Sequence, residues 1–237
     1  AYTDARQRQL FKNIIYVGAL SALLGIEPAV IETLLGEQYK GKEKLAAANR
    51  DAFHMGRDWA EKNLAPITLR LQRSDAVGDR IYVDGNSAAG LGAVYGGATV
   101  CAWYPITPST SLAEAFERYC RRFRTDPDGG KRYGIVQAED ELASIGIVIG
   151  ASWNGARAFT ATSGPGISLQ EFIGLSYFAE IPAVIFDVQR AGPSTGMPTR
   201  TQQSDVLSAA YASHGDTKHV VLLPQDPNEC FQFGAAA

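Results

Sequence analysis

The sequence is poor in the residues that usually announce chemistry. It has three cysteines, three histidines and two methionines in 237 residues. Cys101, Cys120 and Cys230 stand far apart and form no CxxC pair. That spacing argues against zinc or an iron–sulfur cluster held by this chain alone. A small odd number of cysteines fits a reducing compartment, so a cytoplasmic protein is expected. His54, His214 and His219 make no triad with a nucleophile, and no HExxH pattern occurs, so no metal site is expected. There is no GxxxxGK[ST] loop and no full GxGxxG, so no phosphate cradle is expected either. Ser163 lies in "TSGPG", not in a G-x-S-x-G elbow, which argues against a serine hydrolase. No run of about 18 apolar residues suggests a membrane span, and no cleavable signal pattern is seen. A formal net charge of −3 carries no basic footprint for nucleic acid.

What is present is an ordinary globular composition, 46% hydrophobic and 20% charged. The chain starts at Ala1 in a helical pattern and stops in helical spacing at "ECFQFGAAA", so it reads as part of a longer polypeptide, truncated at its C-terminal end. Residues 1–65 read as helices. "NIIYVGALSALLGI" is apolar nearly all round and predicts a buried helix ended by Gly25. Pro28 suits the first turn of the next helix. A third helix places Leu45, Ala48, Ala52, Met55 and Trp59 near 3.6 spacing, and Pro66 closes it. Residues 66–83 mix short β-type runs with charge and read as a linker or peripheral strands.

From residue 84 the chain alternates. "TVCAWYPI", "IVQA", "ARAFTAT", "PAVIFDVQ" and "HVVLLP" read as strands. The helices between and around them are "GNSAAGLGAVYGGA", "SLAEAFERYCRRF", "EDELASIGIVIGASWNG", "ISLQEFIGLSYFAE", "VLSAAYAS" and "DPNECFQFGAAA". Such alternation predicts an α/β fold, a doubly wound, mostly parallel sheet. Residues 84–237 form this domain.

In such sheets ligands bind beyond the carboxyl ends of the strands. Thr107-Pro108-Ser109-Thr110, Glu139-Asp140-Glu141, Ser163-Gly164-Pro165-Gly166 and Arg190 all follow predicted strands. Glu139 and Asp140 suit a helix's positive end. Glu141 shares the apolar stripe of Ile145 and Ile149, and a carboxylate there needs a partner or a raised pKa. Thr107 stands between Pro105-Ile106 and Pro108. The prolines stiffen a strand-to-helix turn, and Thr107 is held extended with its hydroxyl at the strand end. Ser111 and Glu114 read as a capping box. Arg190 either pairs internally with Asp187, Glu180 or Asp205, or meets a carboxylate ligand.

Four stretches together, "YPITPST", "VQAEDELASIGIVIGAS", "TATSGPGISLQEFIGLSYFAEIP" and "DVQRAGPSTGMPT", resemble the α subunit of 2-oxoacid:ferredoxin oxidoreductases. The best match is to the 2-oxoglutarate type, whose α chain carries a fused γ domain at its N-terminus. The resemblance covers residues 84–237, and the helical residues 1–65 resemble the tail of that γ domain. It implies a thiamine diphosphate-binding fold of the pyrimidine type. It implies oxidative decarboxylation of a 2-oxoacid with coenzyme A, giving acyl-CoA, CO2 and reduced ferredoxin, a reaction that some members run in reverse. It also implies a partner β subunit that supplies the diphosphate and Mg2+ half-site and a [4Fe-4S] cluster, with αβ units pairing into a dimer. Glu141 matches the glutamate that bonds the aminopyrimidine nitrogen. Thr107 and Arg190 match residues that contact the 2-oxoacid. Pro105, Ile106, Ser163 and Gly164 match the cofactor pocket. Arg200, with Ser194 and Thr195, is the candidate for a distal carboxylate, against the alternative of a solvated loop arginine. Other thiamine enzymes and a non-catalytic binding protein on the same scaffold remain the rival readings.

Overall fold

The computed structural model describes residues 5–237, in two units: one up to Ile81, the other Tyr82–Ala237. Residues 1–4, read above as part of a helical stretch, lie outside the described residues.

The first unit is three helices, α1 (Ala5–Leu24), α2 (Pro28–Gln38) and α3 (Glu43–Asn63). Gly25 ends α1 at a φ of 73°, a left-handed position that glycine takes without strain. Helices α1 and α3 cross main chain to main chain. A Cβ on Gly18 would overlap the Phe53 carbonyl, and one on Gly56 would overlap that of Ile15. Two sequence expectations fail here. Helix α1 is not buried all round: Leu10 is 68% and Tyr16 63% exposed, while Gly18 and Ser21 are buried. One stripe of α1 touches α3, and apolar character buries a face only where a neighbour covers it. The buried face of α3 is likewise Ala46, Ala48, Asn49, Ala52, Phe53, Gly56 and Ala60, while Leu45, Met55 and Trp59 are exposed. The close crossing needs small residues at the contact, so Leu45, Met55 and Trp59 face away, and Phe53 is the large side chain of α3 that is buried. Residues 66–83 form a turn and extended coil, without strands.

The second unit runs α4 (Gly85–Tyr95), β1 (Val100–Trp103), α5 (Thr110–Phe123), β2 (Gly134–Gln137), α6 (Glu141–Trp153), β3 (Ala158–Thr162), α7 (Gly164–Leu169), a 3-10 turn (Gln170–Ile173), α8 (Gly174–Ala179), β4 (Val184–Asp187), α9 (Val206–Tyr211) and α10 (Pro227–Ala236). The four strands are parallel in the order β2-β1-β3-β4. Helices pack on both faces, as the alternation predicts. On one face Cys101, Phe159 and Ala161 meet Ala93 and Val94 of α4 and Leu112 and Phe116 of α5. On the other, Ala102 and Ala158 meet Ile145, Val148 and Ile149 of α6 and Ile173 of the 3-10 turn.

Three local readings change. "HVVLLP" forms no strand: His219 N–H bonds to the Ala210 carbonyl, and Val220 stands 90% exposed. A β-type run becomes a strand only where a sheet edge pairs with it. "ISLQEFIGLSYFAE" is two short helices joined by the 3-10 turn. Helix α5 begins at Thr110, so Ser111 lies inside it and forms no capping box. Its hydroxyl accepts from Asn86 Nδ2 at 2.8 Å instead.

Candidate active site

Because the strands are parallel, the loops after all four leave from one edge of the sheet. After β1, the Ile106 carbonyl organises the turn. It accepts from the Ser109 N–H at 2.9 Å, the Thr110 N–H at 3.2 Å, the Ser109 hydroxyl at 2.9 Å and the Thr110 hydroxyl at 3.3 Å. The Thr107–Pro108 peptide bond is cis. Pro105 and Thr107 are exposed and Ile106 is half-buried, so Thr107 lies at the surface of this edge.

After β2, Asp140 caps α6 by accepting from the Ala143 N–H at 2.7 Å. Glu141, the first residue of α6, is only 7% exposed and shares its face with Ile145 and Ile149, as its spacing predicts. Among the described residues its carboxylate has no hydrogen-bond or ion-pair partner. Its backbone carbonyl lies 3.5 Å from Gln170 Nε2.

After β3, Ser163 is fully buried and its carbonyl starts α7 by accepting from the Gly166 N–H at 2.7 Å. A Cβ on Gly166 would overlap Thr162 Oγ1 and lie 2.9 Å from Glu141 Cγ. A Cβ on Gly164 would lie 2.5 Å from Asp205 Oδ2. The turn therefore seats directly against two carboxylate side chains, which a larger residue would forbid.

After β4, Arg190 is 6% exposed. The internal ion pair weighed for it does not form. Its Nη1 donates to the Thr107 carbonyl at 2.8 Å and its Nη2 to the Thr195 carbonyl at 2.5 Å. Backbone carbonyls pair with a guanidinium without cancelling its charge, so Arg190 stays a cation with no carboxylate of its own. The Arg190 carbonyl accepts from the Ser204 hydroxyl at 2.9 Å, and that hydroxyl also lies 3.3 Å from Asp205 Oδ2. Contacts thus run from Thr107 through Arg190, Ser204 and Asp205 to Gly164, and from Gly166 to Thr162 and Glu141. Arg200 stands apart. Its carbonyl accepts from the Ala191 N–H at 2.9 Å, but its side chain is exposed and contacts none of these groups.

The α6-facing side of this edge holds several buried polar atoms without partners: Thr160 Oγ1, Thr162 Oγ1, Ser163 Oγ, Gln170 Oε1 and both oxygens of Asp187. Burial raises the Asp187 carboxyl from its ordinary 3.8 to about 7, the Asp205 carboxylate adds to the rise, and Gln189 opposes it. Sequence reading did not single out Thr162 or Gln170, and weighed Asp205 only as a partner for Arg190. The available signals were two threonines on one face of an apolar strand and a glutamine four residues after Gly166. No helix among the described residues is long and apolar enough to cross a membrane. Among them, no cluster of three or more His, Cys, Asp or Glu could hold a metal.

Comparison with known proteins agrees with this architecture. A family model described as pyruvate flavodoxin/ferredoxin oxidoreductase, thiamine diphosphate-binding, matches residues 91–237. A second, pyruvate ferredoxin/flavodoxin oxidoreductase, matches residues 3–59. The α subunit of 2-oxoacid:ferredoxin oxidoreductase 1 of Aeropyrum pernix is 36% identical over 95% of this chain and 35% of its own length. The 2-oxoglutarate synthase subunit KorA of Methanocaldococcus jannaschii is 47% identical over 64% of this chain and 40% of its own. A solved 2-oxoglutarate:ferredoxin oxidoreductase from Magnetococcus marinus, with 2-oxoglutarate, coenzyme A and succinyl-CoA bound, superposes with a TM-score of 0.73. It is 37% identical, over 95% of this chain and 38% of that one. The chain spans well under half the length of these relatives. With matching models over both units and a parallel sheet that gathers Thr107, Glu141, Ser163 and Arg190 at one edge, the chain belongs to the pyruvate flavodoxin/ferredoxin oxidoreductase family, alongside the α subunits of 2-oxoacid:ferredoxin oxidoreductases.

Proposed function

We propose that this chain supplies the pyrimidine-facing half of a thiamine diphosphate site in a CoA-dependent 2-oxoacid:ferredoxin oxidoreductase. The reaction is oxidative decarboxylation of a 2-oxoacid to its acyl-CoA and CO2, with ferredoxin reduced. The substrate proposed is 2-oxoglutarate and the product succinyl-CoA, because similar chains carry that name and a similar structure holds those molecules. In reverse the same chemistry fixes CO2, as in a reductive TCA cycle. A partner β subunit is assigned the diphosphate and Mg2+ contacts and a [4Fe-4S] cluster. The assembly proposed is a cytoplasmic dimer of αβ units.

The observation that carries this reading is Glu141: a residue only 7% exposed whose carboxylate has no protein partner, at the ligand-binding edge of the sheet. An aminopyrimidine suits that carboxylate, since its protonated ring nitrogen is a hydrogen-bond donor. Thiamine diphosphate, when bound, supplies a carbon nucleophile and an electron sink for decarboxylation. Glu141 holds or releases the proton at the ring nitrogen. Arg190 orients the 2-oxoacid carboxylate through its remaining N–H groups. Thr107 offers a hydroxyl to the same molecule, and the Thr107 carbonyl to Arg190 contact fixes the two relative to each other. Pro105, Ile106, Ser163 and Gly164 shape the cofactor wall. Arg200, with Ser194 and Thr195, is proposed to receive the distal carboxylate. Loss of CO2 removes the charge that Arg190 binds, so the contact must hold without being too tight.

The test is anaerobic purification of the full complex, followed by CoA-dependent viologen reduction with pyruvate, 2-oxoglutarate and 3-methyl-2-oxobutanoate. Reduction with 2-oxoglutarate above the others is expected. No reduction with any of them would remove the reading.

A further inference from the structure

The mechanism above uses Glu141 and leaves unexplained the polar groups around it. Gln170 is 1% exposed and Thr162 is 1% exposed, and each has a polar atom without a partner. Burying such an atom unpaired is costly, so its retention needs a reason. Both residues flank Glu141 from different elements. Thr162 Oγ1 comes from the end of β3, and Glu141 Cγ and Thr162 Oγ1 crowd the same point above Gly166, where no Cβ could stand. Gln170 Nε2 comes from the 3-10 turn and is directed at the Glu141 carbonyl at 3.5 Å. The helical run from Gly164 to Ala179 is broken at Gln170 into that 3-10 turn. A 3-10 insertion within a helical stretch commonly marks a constrained or functional segment.

We propose that Thr162 and Gln170 are positioning residues for Glu141: the Thr162 hydroxyl steers its carboxylate and the Gln170 amide holds the first turn of α6 beneath it. This rests on the thiamine diphosphate reading. The glutamate has free rotation about its side-chain bonds, and a proton transfer needs a hydrogen bond at a set distance. A hydroxyl beside Cγ limits where the carboxylate can swing. An amide on the carbonyl of the same residue limits how far the helix start can shift. Gly166 is the space through which the first contact is made.

The test uses the full complex and does not depend on turnover. Dissociation constants are measured, with Mg2+ present, for thiamine diphosphate and for the analogue whose 4′-amino group is replaced by oxygen. Glu141 distinguishes the two through the pyrimidine edge, so wild type prefers thiamine diphosphate and Glu141→Gln loses the preference. Thr162→Val keeps the shape and removes the hydroxyl. Gln170→Leu removes the amide, and Gln170→Glu keeps its size but removes the donor. Each is expected to shrink the preference by about tenfold, as the carboxylate loses its fixed position. The thermal midpoint of the cofactor-free complex should stay level or rise, since Thr162→Val deletes an unpaired buried polar atom. That combination, fold firmer and discrimination weaker, is not produced by a purely structural role, which would move stability and both affinities together. If Glu141→Gln loses the preference but Thr162→Val and both Gln170 variants keep it, the inference is overturned and the cofactor reading stands. If wild type shows no preference at all, the two fall together.

Discussion

The two faces of the sheet in the second unit are built from the same four strands and look unlike each other. Towards α4 and α5, β3 offers Phe159 and Ala161. Phe159 meets Phe116 edge-on at 4.8 Å between ring centres and Phe186 at 5.2 Å. Towards α6, the same strand offers Ala158, Thr160 and Thr162, and β4 ends in Asp187 opposite Thr162. The first face is a packed aromatic and aliphatic core in which, among the described residues, only Trp103 Nε1 and the Tyr133 hydroxyl are buried without partners. The second is apolar under α6 but turns polar and under-satisfied as it nears the carboxyl edge. Alternation along a strand lets one sequence serve both ends: even and odd positions answer to different neighbours. One face carries most of the aromatic packing, and the other most of the unpaired polar atoms.

That contrast can be broken or sharpened by substitution. The largest effect should come from Glu141→Ala in the assembled complex, with turnover falling by about 10²- to 10⁴-fold, the usual worth of a positioned acid–base group. Its thermal midpoint should not fall. Phe159→Ala should do the reverse, lowering unfolding free energy by about 3–5 kcal/mol in denaturant titration.

Asp187→Asn comes next and is read against pH. The folded state holds this carboxyl protonated up to about pH 7, against an ordinary 3.8. Between those values the folded chain binds more protons than the unfolded one, so stability falls as pH rises through that window and levels off above it. The asparagine variant removes the loss. It should exceed wild type in stability above pH 7, by on the order of 2–4 kcal/mol, and lose that margin as pH drops towards 4. An equal gain at pH 5 and pH 8 would show that burial of the charge is not the cause. The smallest effect is Thr160→Val, expected to gain about 1 kcal/mol by deleting an unpaired buried hydroxyl while leaving the Phe159 side of β3 untouched. If it destabilises instead, the polar face is not under-satisfied at that point.

Much of this second unit was legible in the sequence. Strand–helix alternation gave the parallel sheet, and the loops that follow its strands contain Thr107, Glu141, Ser163 and Arg190 because geometry forces such loops to one edge. Glu141 was readable from its place on the Ile145–Ile149 stripe. What failed depended on partners that local pattern does not contain. "HVVLLP" has strand chemistry but no strand beside it. Helix α1 has apolar residues on every side but one helix to bury against. Leu45, Met55 and Trp59 kept helical spacing, yet the α1–α3 crossing selected Gly56 and its small neighbours. Arg190 was read as meeting a carboxylate, of its own chain or of a ligand, and within the chain its guanidinium meets two carbonyls. Thr162 and Gln170 were invisible because a threonine in a strand and a glutamine in a helical stretch are unremarkable until their atoms are seen to lack company.

The Arg190 contacts carry one more implication. A long flexible cation normally gives up much of its freedom when it grips a ligand, and that loss is subtracted from affinity. Here the side chain is already stilled by the Thr107 and Thr195 carbonyls before any acid arrives. An incoming anion would meet a receptor whose ordering was completed during folding, and the loops after β1 and β4 would hold their spacing whether the pocket is full or empty.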